Sequence, residues 1–71
     1  MKIEYDPIHD LLNLEFLPDV EIAESVEIDG IILDYAKDRR LVAIEVLDAS
    51  KRTTGDPLQF IDVSIVRQAT A

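Results

Sequence analysis

The dipeptide Asp29-Gly30, with alternating apolar residues on both sides, leaves this chain the least conformational freedom. Two-residue hairpin turns that match strand twist need positive φ, which Asp and Gly tolerate better than other residues. The stretch from Glu24 to Asp48 therefore reads as hairpin-linked strands. Period-two alternation continues on either side of it. Five strands are predicted: Met1–Tyr5, Leu11–Leu17, about Glu21–Ile28, Ile31–Ala36 and Arg40–Leu47. Asp6-Pro7 ends the first, because Pro cannot donate to a ladder. Pro18-Asp19 breaks the second.

Face consistency tests these strands. Residues directly opposite in an antiparallel pair share a face. Closing at Asp29-Gly30 sets Ile28 against Ile31 and Val26 against Leu33. Closing around Asp38-Arg39 sets Tyr35 against Val42 and Leu33 against Ile44. Closing around Ile8-His9 sets Tyr5 against Leu12 and Ile3 against Leu14. A three-residue loop, Leu17-Pro18-Asp19, sets Phe16 against Val20 and Leu14 against Ile22. All four closures put the apolar set on one side, and a one-residue slip in any of them would turn a strand inside out. The expected fold is mainly β: a single antiparallel five-stranded meander sheet. A short helical turn follows strand five, with Asp48 as its N-cap and Lys51-Arg52 near its end. Thr53–Pro57 is read as a loop. Residues 58–66 form a C-terminal strand or short helix. The strand is favoured because Ile61, Val63 and Ile65 alternate and are β-branched, whereas Asp56-Pro57 would suit a helix start.

A chain of 71 residues is one domain, with the sheet in residues 1–47 and an extension in 48–71. So short a chain buries only about 60 % of its unfolded surface. Disulfides, a metal or oligomerisation are the usual supplements. No cysteine is present and there is one histidine, which leaves oligomerisation or a permanent partner. The apolar face needs a cover, and about 20 residues beyond the sheet are too few to supply a full layer. A homodimer or higher oligomer is therefore expected, with Ile22, Val26, Leu33, Tyr35, Val42, Ile44 and Val46 as the interaction surface. The opposite face carries Lys2, Glu4, Asn13, Glu15, Glu21, Ser25, Glu27, Asp34 and Glu45 and reads as solvated, interrupted by Leu11, Ile32, Leu41 and Leu47.

The net charge is −8, from 15 acidic and seven basic residues. Nucleic acid is disfavoured as a direct partner, and a basic protein suits the balance better. The acidic run Glu21, Glu24, Glu27 is a solvated edge or a docking surface for such a partner. The acidic N-terminus and the lack of a long apolar run point to a cytoplasmic protein without a membrane span. Asp6-x-x-His9-Asp10 is the one metal-like spacing. Two carboxylates and an imidazole can hold a divalent ion, but these residues are also common in turns for backbone reasons, so no metal site or cofactor is assigned. Glu45, Asp48 and the Ser50-Lys51 pair lie near one end of strand five. A Ser-Lys pair can act as nucleophile and base only with an oxyanion hole and a pocket, and the sequence displays neither. The reading is a non-enzymatic protein-interaction domain. The alternative is a small metal- or ligand-binding enzyme with its site at the His9 turn or near Glu45 and Asp48.

Three blocks carry a resemblance. They are Met1-Lys-Ile-Glu-Tyr-Asp-Pro7 followed by Asp10-Leu-Leu-Asn-Leu14; Glu24 with Asp29-Gly-Ile-Ile-Leu-Asp-Tyr35; and Leu41-Val-Ala-Ile-Glu-Val-Leu-Asp-Ala-Ser-Lys-Arg52. On these the chain resembles the small bacterial and archaeal family called domain of unknown function 2283. The last block is the most specific, because alternation alone does not demand Glu45 followed by Leu-Asp-Ala-Ser. The family's turn after strand four usually carries a Gly, and Lys37-Asp-Arg-Arg40 has none. The resemblance implies a small β-rich cytosolic domain with no assigned activity. Its association with small toxin-like proteins implies an antitoxin-type role.

Overall fold

In the computed structural model, which describes residues 1–53 and 55–69, five strands form one antiparallel sheet. They are β1 (Lys2–Asp6), β2 (Leu11–Glu15), β3 (Glu24–Ile28), β4 (Ile31–Tyr35) and β5 (Leu41–Val46). The order across the sheet is β1-β2-β5-β4-β3. Three of the expected hairpins are present. Asp29 and Gly30 take φ of 51° and 76°, the positive pair that a tight hairpin needs, and Val26 faces Leu33. Ile3 faces Leu14, and Leu33 faces Ile44.

The fourth hairpin is not formed. β2 pairs with β5, so Leu14 faces Ile44 and Leu12 faces Val46, and Leu14 does not face Ile22. The chain leaves β2 at Glu15 and crosses the end of the sheet through residues 16–23 to start β3 on the far edge. Strands β2–β5 thus form a Greek-key arrangement, with three hairpin-linked strands and a fourth joined by the long connection. The crossover explains why β2 ends before Leu17 and β3 starts only at Glu24. Phe16 and Leu17 donate their N–H groups to the Val42 carbonyl at 2.8 and 3.2 Å, and Ala23 N–H donates to the Tyr35 carbonyl at 2.8 Å. Asp19 turns the chain with φ of 60°. Leu17 and Val20 then pack on Ala36, Val42 and Ala43, the buried cluster of the molecule.

The β4–β5 connection lacks the family's Gly, and Arg39 takes that role with φ of 74°. Ala36 N–H donates to the Arg40 carbonyl and Arg39 N–H to the Ala36 carbonyl, both at 2.9 Å. The ladder shifts between Asp34 and Tyr35, so Tyr35 faces Leu41 where simple alternation set it against Val42.

Beyond the sheet, α1 is one turn, Ala49–Arg52, with Lys51 and Arg52 at its end as expected. Asp48 does not cap it. Its backbone is left-handed (φ 52°), unlike the extended backbone of an ordinary N-cap, and its side chain makes no capping hydrogen bond. Asp10 caps the turn from 40 residues away (Ser50 N–H to Oδ1, 2.9 Å), and its carbonyl accepts from Ala49 N–H. Arg52 pins α1 to the β3–β4 turn, donating to the Asp29 and Leu47 carbonyls. The Asp56-Pro57 helix start is realised as a 3-10 turn, α2 (Pro57–Phe60), with Asp56 Oδ1 accepting from Leu58 N–H at 3.0 Å. The favoured strand over 58–66 is not formed. Alternating β-branched residues confer propensity, but a strand also needs a neighbour, and residues 61–69 pair with nothing among the described residues. Thr54 of the expected loop lies outside the described residues.

Apolar side chains of all five strands share one face, yet only Leu12 and Val42 of that set are buried. Ile3, Leu14, Leu33, Ile44 and Val46 are half-buried and Ile28 is 62 % exposed. The radius of gyration is 13.8 Å. A compact chain of this length has about 11 Å; the single layer and the unpaired residues 61–69 both enlarge it.

Candidate functional site

On the other face, the register sets out a polar row of two groups, offset by one residue pair, since Glu45 faces Ile32 on β4. Glu4 faces Asn13, Asn13 faces Glu45, and Ser25 faces Asp34. Asp34 faces Ala43, two residues from Glu45 on β5, so the two carboxyl groups are diagonal neighbours. Asp34 was expected on a solvated face. It is 2 % exposed, shut in beside Ala43 where the crossover packs. Its Oδ1 accepts from the Ser25 hydroxyl at 2.6 Å. Asn13 Oδ1 is buried without a partner, and Asp34 Oδ2 has only the neighbouring Glu45 carboxyl to serve it.

Glu45 lies between these two groups. A hydrogen bond to Asp34, partial burial and the Asp34 charge push its pKa up to about 7. Two adjacent carboxyl groups in a partly dehydrated site do not both ionise easily, so Glu45 keeps its proton and lends it to Asp34. The row opens at its β1 end into a cleft of about 450 Å³ lined by Glu4, Asp6, Leu11, Asn13 and Glu45. A concave site with polar groups and a displaced carboxyl pKa is a recognisable candidate for binding.

The His9 turn is arranged differently. His9 Nδ1 and Asp6 Oδ2 are 2.6 Å apart at the surface, and Asp6 Oδ1 also accepts from Ile8 N–H at 2.9 Å. These bonds, led by the one to His9, hold the Asp6 carboxyl below its ordinary range. Asp10 points away from that pair. It accepts from the Tyr5 hydroxyl at 2.7 Å and from Ser50 Oγ at 2.6 Å. Those bonds, Ser50 first, lower the Asp10 pKa, while the same contact pushes Tyr5 up to about 12. Asp6, His9 and Asp10 therefore do not converge. Among the described residues no group of three or more His, Asp or Glu side chains is placed to hold a metal ion. The Ser50 hydroxyl is spent on Asp10, and Lys51 is exposed. Asp48 is exposed on the loop after β5 and does not join Glu45 in the polar row.

Of the residues expected to form an interaction surface, Val26, Leu33, Ile44 and Val46 lie on one apolar face by register. Tyr35 ends that face, with the Arg39 guanidinium 4.6 Å from its ring centre. Ile22 stands in the crossover, 46 % exposed, and Val42 is 4 % exposed within the small core. Sequence reasoning did not single out Asp34, Asn13 or the bonds between Asp10 and Ser50. The Asp34–Glu45 pair had a signal, since both fall on the outward phase of adjacent strands.

A family model described as "Protein of unknown function (DUF2283)" matches residues 2–50, which hold the whole sheet and the start of α1. The chain belongs to this family. The matched region contains every residue of the polar row and of the Asp10 cap, so both lie within what the family defines. A protein of Methanosarcina mazei named "Putative hypoxanthine phosphoribosyltransferase" is 57 % identical over 28 residues, 39 % of this chain and 23 % of that protein. The chain thus spans about a quarter of that relative's length. No solved structure matches. Among the described residues no helix is long and apolar enough to cross a membrane.

Proposed function

We propose that this chain is a non-enzymatic protein-interaction domain whose apolar sheet face is covered by a second copy of itself, and that its acidic face serves a basic protein partner. The observation that carries the first part is the exposure of that face. Five strands contribute apolar side chains to it, and two of those side chains are buried. Val63, Ile65 and Val66 add further apolar surface at 56 %, 94 % and 78 % exposure. Contiguous patches of this kind are characteristic of interfaces. The second part rests on charge. By register the polar face presents Glu4, Asp6, Glu15, Glu27 and Glu45 against a single ammonium, Lys2. An antitoxin-like partner of a small basic protein is its most concrete form.

The self-association is tested at its rim. Val26→Lys with Ile28→Lys places two ammonium groups on the edge of the apolar face without touching the buried cluster. The wild-type melting temperature should rise with protein concentration, as it does for any folded state stabilised by association. In the double variant that dependence should vanish. A wild-type melting temperature independent of concentration would sink the homodimer.

A further inference from the structure

Two parts of the chain carry unused pairing capacity. Residues 61–69 have no ladder partner among the described residues, although Ile61, Val63 and Ile65 alternate with Asp62 and Ser64 as in a strand. Val63, Ile65 and Val66 stand exposed. β3 is an edge of the sheet, bonded to β4, and four of its five residues are exposed. An edge strand presents N–H and C=O groups that another chain can take up. One antiparallel register joins the two parts with faces and charges both matched. Val63 faces Ile28, Ser64 faces Glu27, Ile65 faces Val26, Val66 faces Ser25 and Arg67 faces Glu24. Residues directly opposite share a face, so Val63 and Ile65 extend the apolar side. Glu24 Oε2 accepts from Arg39 at 2.6 Å, and the other carboxylate oxygen can accept from the Arg67 guanidinium. The opposite edge, β1, fits less well. There an antiparallel register sets Asp62 against Asp6 when Val63 faces Tyr5, and against Glu4 when Val63 faces Ile3. Like charges directly opposite are destabilising.

We propose that residues 63–67 of one copy add to β3 of a second copy as an antiparallel sixth strand, and that the two copies exchange this segment reciprocally. The proposal rests on the reading of this chain as self-associating, and names the element that the copies share. Main-chain ladder bonds supply the affinity and alternating side chains the register, as in strand addition generally. A reciprocal exchange about a two-fold axis closes, so the assembly stops at two copies. The exchange is between copies because of where the segment starts. α2 begins on the β1 side, since the Tyr5 hydroxyl, its pKa raised first by the bond to Asp10, also feels the Asp56 charge. β1 and β3 are opposite edges, four strand spacings or about 19 Å apart. From Asp56 to Val63 the chain passes through the 3-10 turn and spans about 18 Å at full stretch, which leaves no slack for crossing to β3 of the same copy. A second copy brings its own β3 to the segment, and takes Val63, Ile65 and Ile28 out of water together.

The chain has no cysteine, so a disulfide can report the register. Full-length Glu27→Cys labelled with ¹⁵N is mixed with unlabelled full-length Ser64→Cys under mild oxidation. Opposite residues of an antiparallel pair lie about 4.5–5.5 Å apart at Cα, within disulfide reach. The expected product is a mixed disulfide dimer, seen by mass spectrometry, in higher yield than Ser64→Cys gives with Glu4→Cys on the β1 edge. Equal yields at the two edges, or a Glu27→Cys/Ser64→Cys double variant that closes its disulfide within one chain, overturn the exchange. Ile65→Pro with Val66→Pro removes two adjacent N–H groups, one of which faces β3 whichever way the pleat is set. Both residues are exposed, so each copy keeps its own fold. Sedimentation equilibrium should show the dissociation constant raised about tenfold or more in this variant. If the wild type is a dimer and the proline variant is an equally tight one, the exchange is wrong and the self-association reading survives. If the wild type is a single 8.0 kDa species, both fall.

Discussion

At the scale of single residues, two carboxyl groups with opposite displacements dominate the chemistry. Asp10 accepts three hydrogen bonds, two from Ser50 and one from Tyr5, and its pKa is lowered. A group whose folded pKa lies below its unfolded value adds stability above the unfolded value, near 3.9, and loses it as pH falls through the folded one. Asp10→Asn should therefore lower the melting temperature at pH 7, and the difference from wild type should shrink as pH drops below about 4. Circular dichroism melts across that range check it; a difference that persists undiminished at the lowest pH contradicts the capping role. Glu45 runs the other way. Its folded pKa of about 7 lies above the ordinary value of 4.5, so the folded state holds the extra proton and stability falls as pH rises between those values. Glu45→Gln, which keeps a donor for Asp34, should be more stable than wild type at pH 8 and equal to it at pH 4. Urea midpoints at the two pH values measure this, and an unchanged midpoint at pH 8 would remove Glu45 from the buried row.

At the scale of elements, the strands and their inward faces were legible because alternation and turn chemistry agree. Asp29-Gly30, Tyr5 with Leu12 and Leu33 with Ile44 all follow from period two plus a tight turn. The partner of β2 was not legible. Leu14 finds an apolar neighbour on its face whether it pairs with Ile22 or with Ile44, because alternation fixes the face of a strand and says nothing about which strand lies beside it. The physical difference lies in residues 16–23, where Leu17 and Val20 gain more by packing over Ala36 and Ala43 than by continuing a ladder. The polar row was half legible for a related reason. The register places Glu45 diagonally beside Asp34, but nothing in the alternation marks Asp34 as buried. The Asp10–Ser50 cap spans 40 residues and has no local signature. The β4–β5 turn is testable in isolation. Arg39 holds a left-handed backbone that costs a non-Gly residue about 1–2 kcal/mol, yet its side chain bridges Glu24 at 2.6 Å and covers Tyr35. Exposed contacts of that kind return about 1 kcal/mol or less together, so Arg39→Gly should leave stability within about 1 kcal/mol of wild type. Arg39→Val, which keeps the strain and loses both contacts, should be clearly worse. Equal urea midpoints for the two variants would show that the turn is not left-handed at Arg39.

At the scale of the whole molecule, the sheet has two faces with different unmet needs. One is apolar and open, the other acidic with one shielded carboxyl group, Asp34. A single five-stranded layer with only Leu12 and Val42 buried on its apolar face is an incomplete two-layer domain, which the proposed second copy would complete. Burying a large aliphatic side chain is worth about 1.5–3 kcal/mol, and in the proposed homodimer the half-buried row of Leu14, Leu33, Ile44 and Val46 would contribute part of that gain from each copy. Sedimentation equilibrium at micromolar concentration tests this most directly. The account predicts a mass of twice the 8.0 kDa chain or a higher multiple. A single species at 8.0 kDa that also melts cooperatively would contradict it.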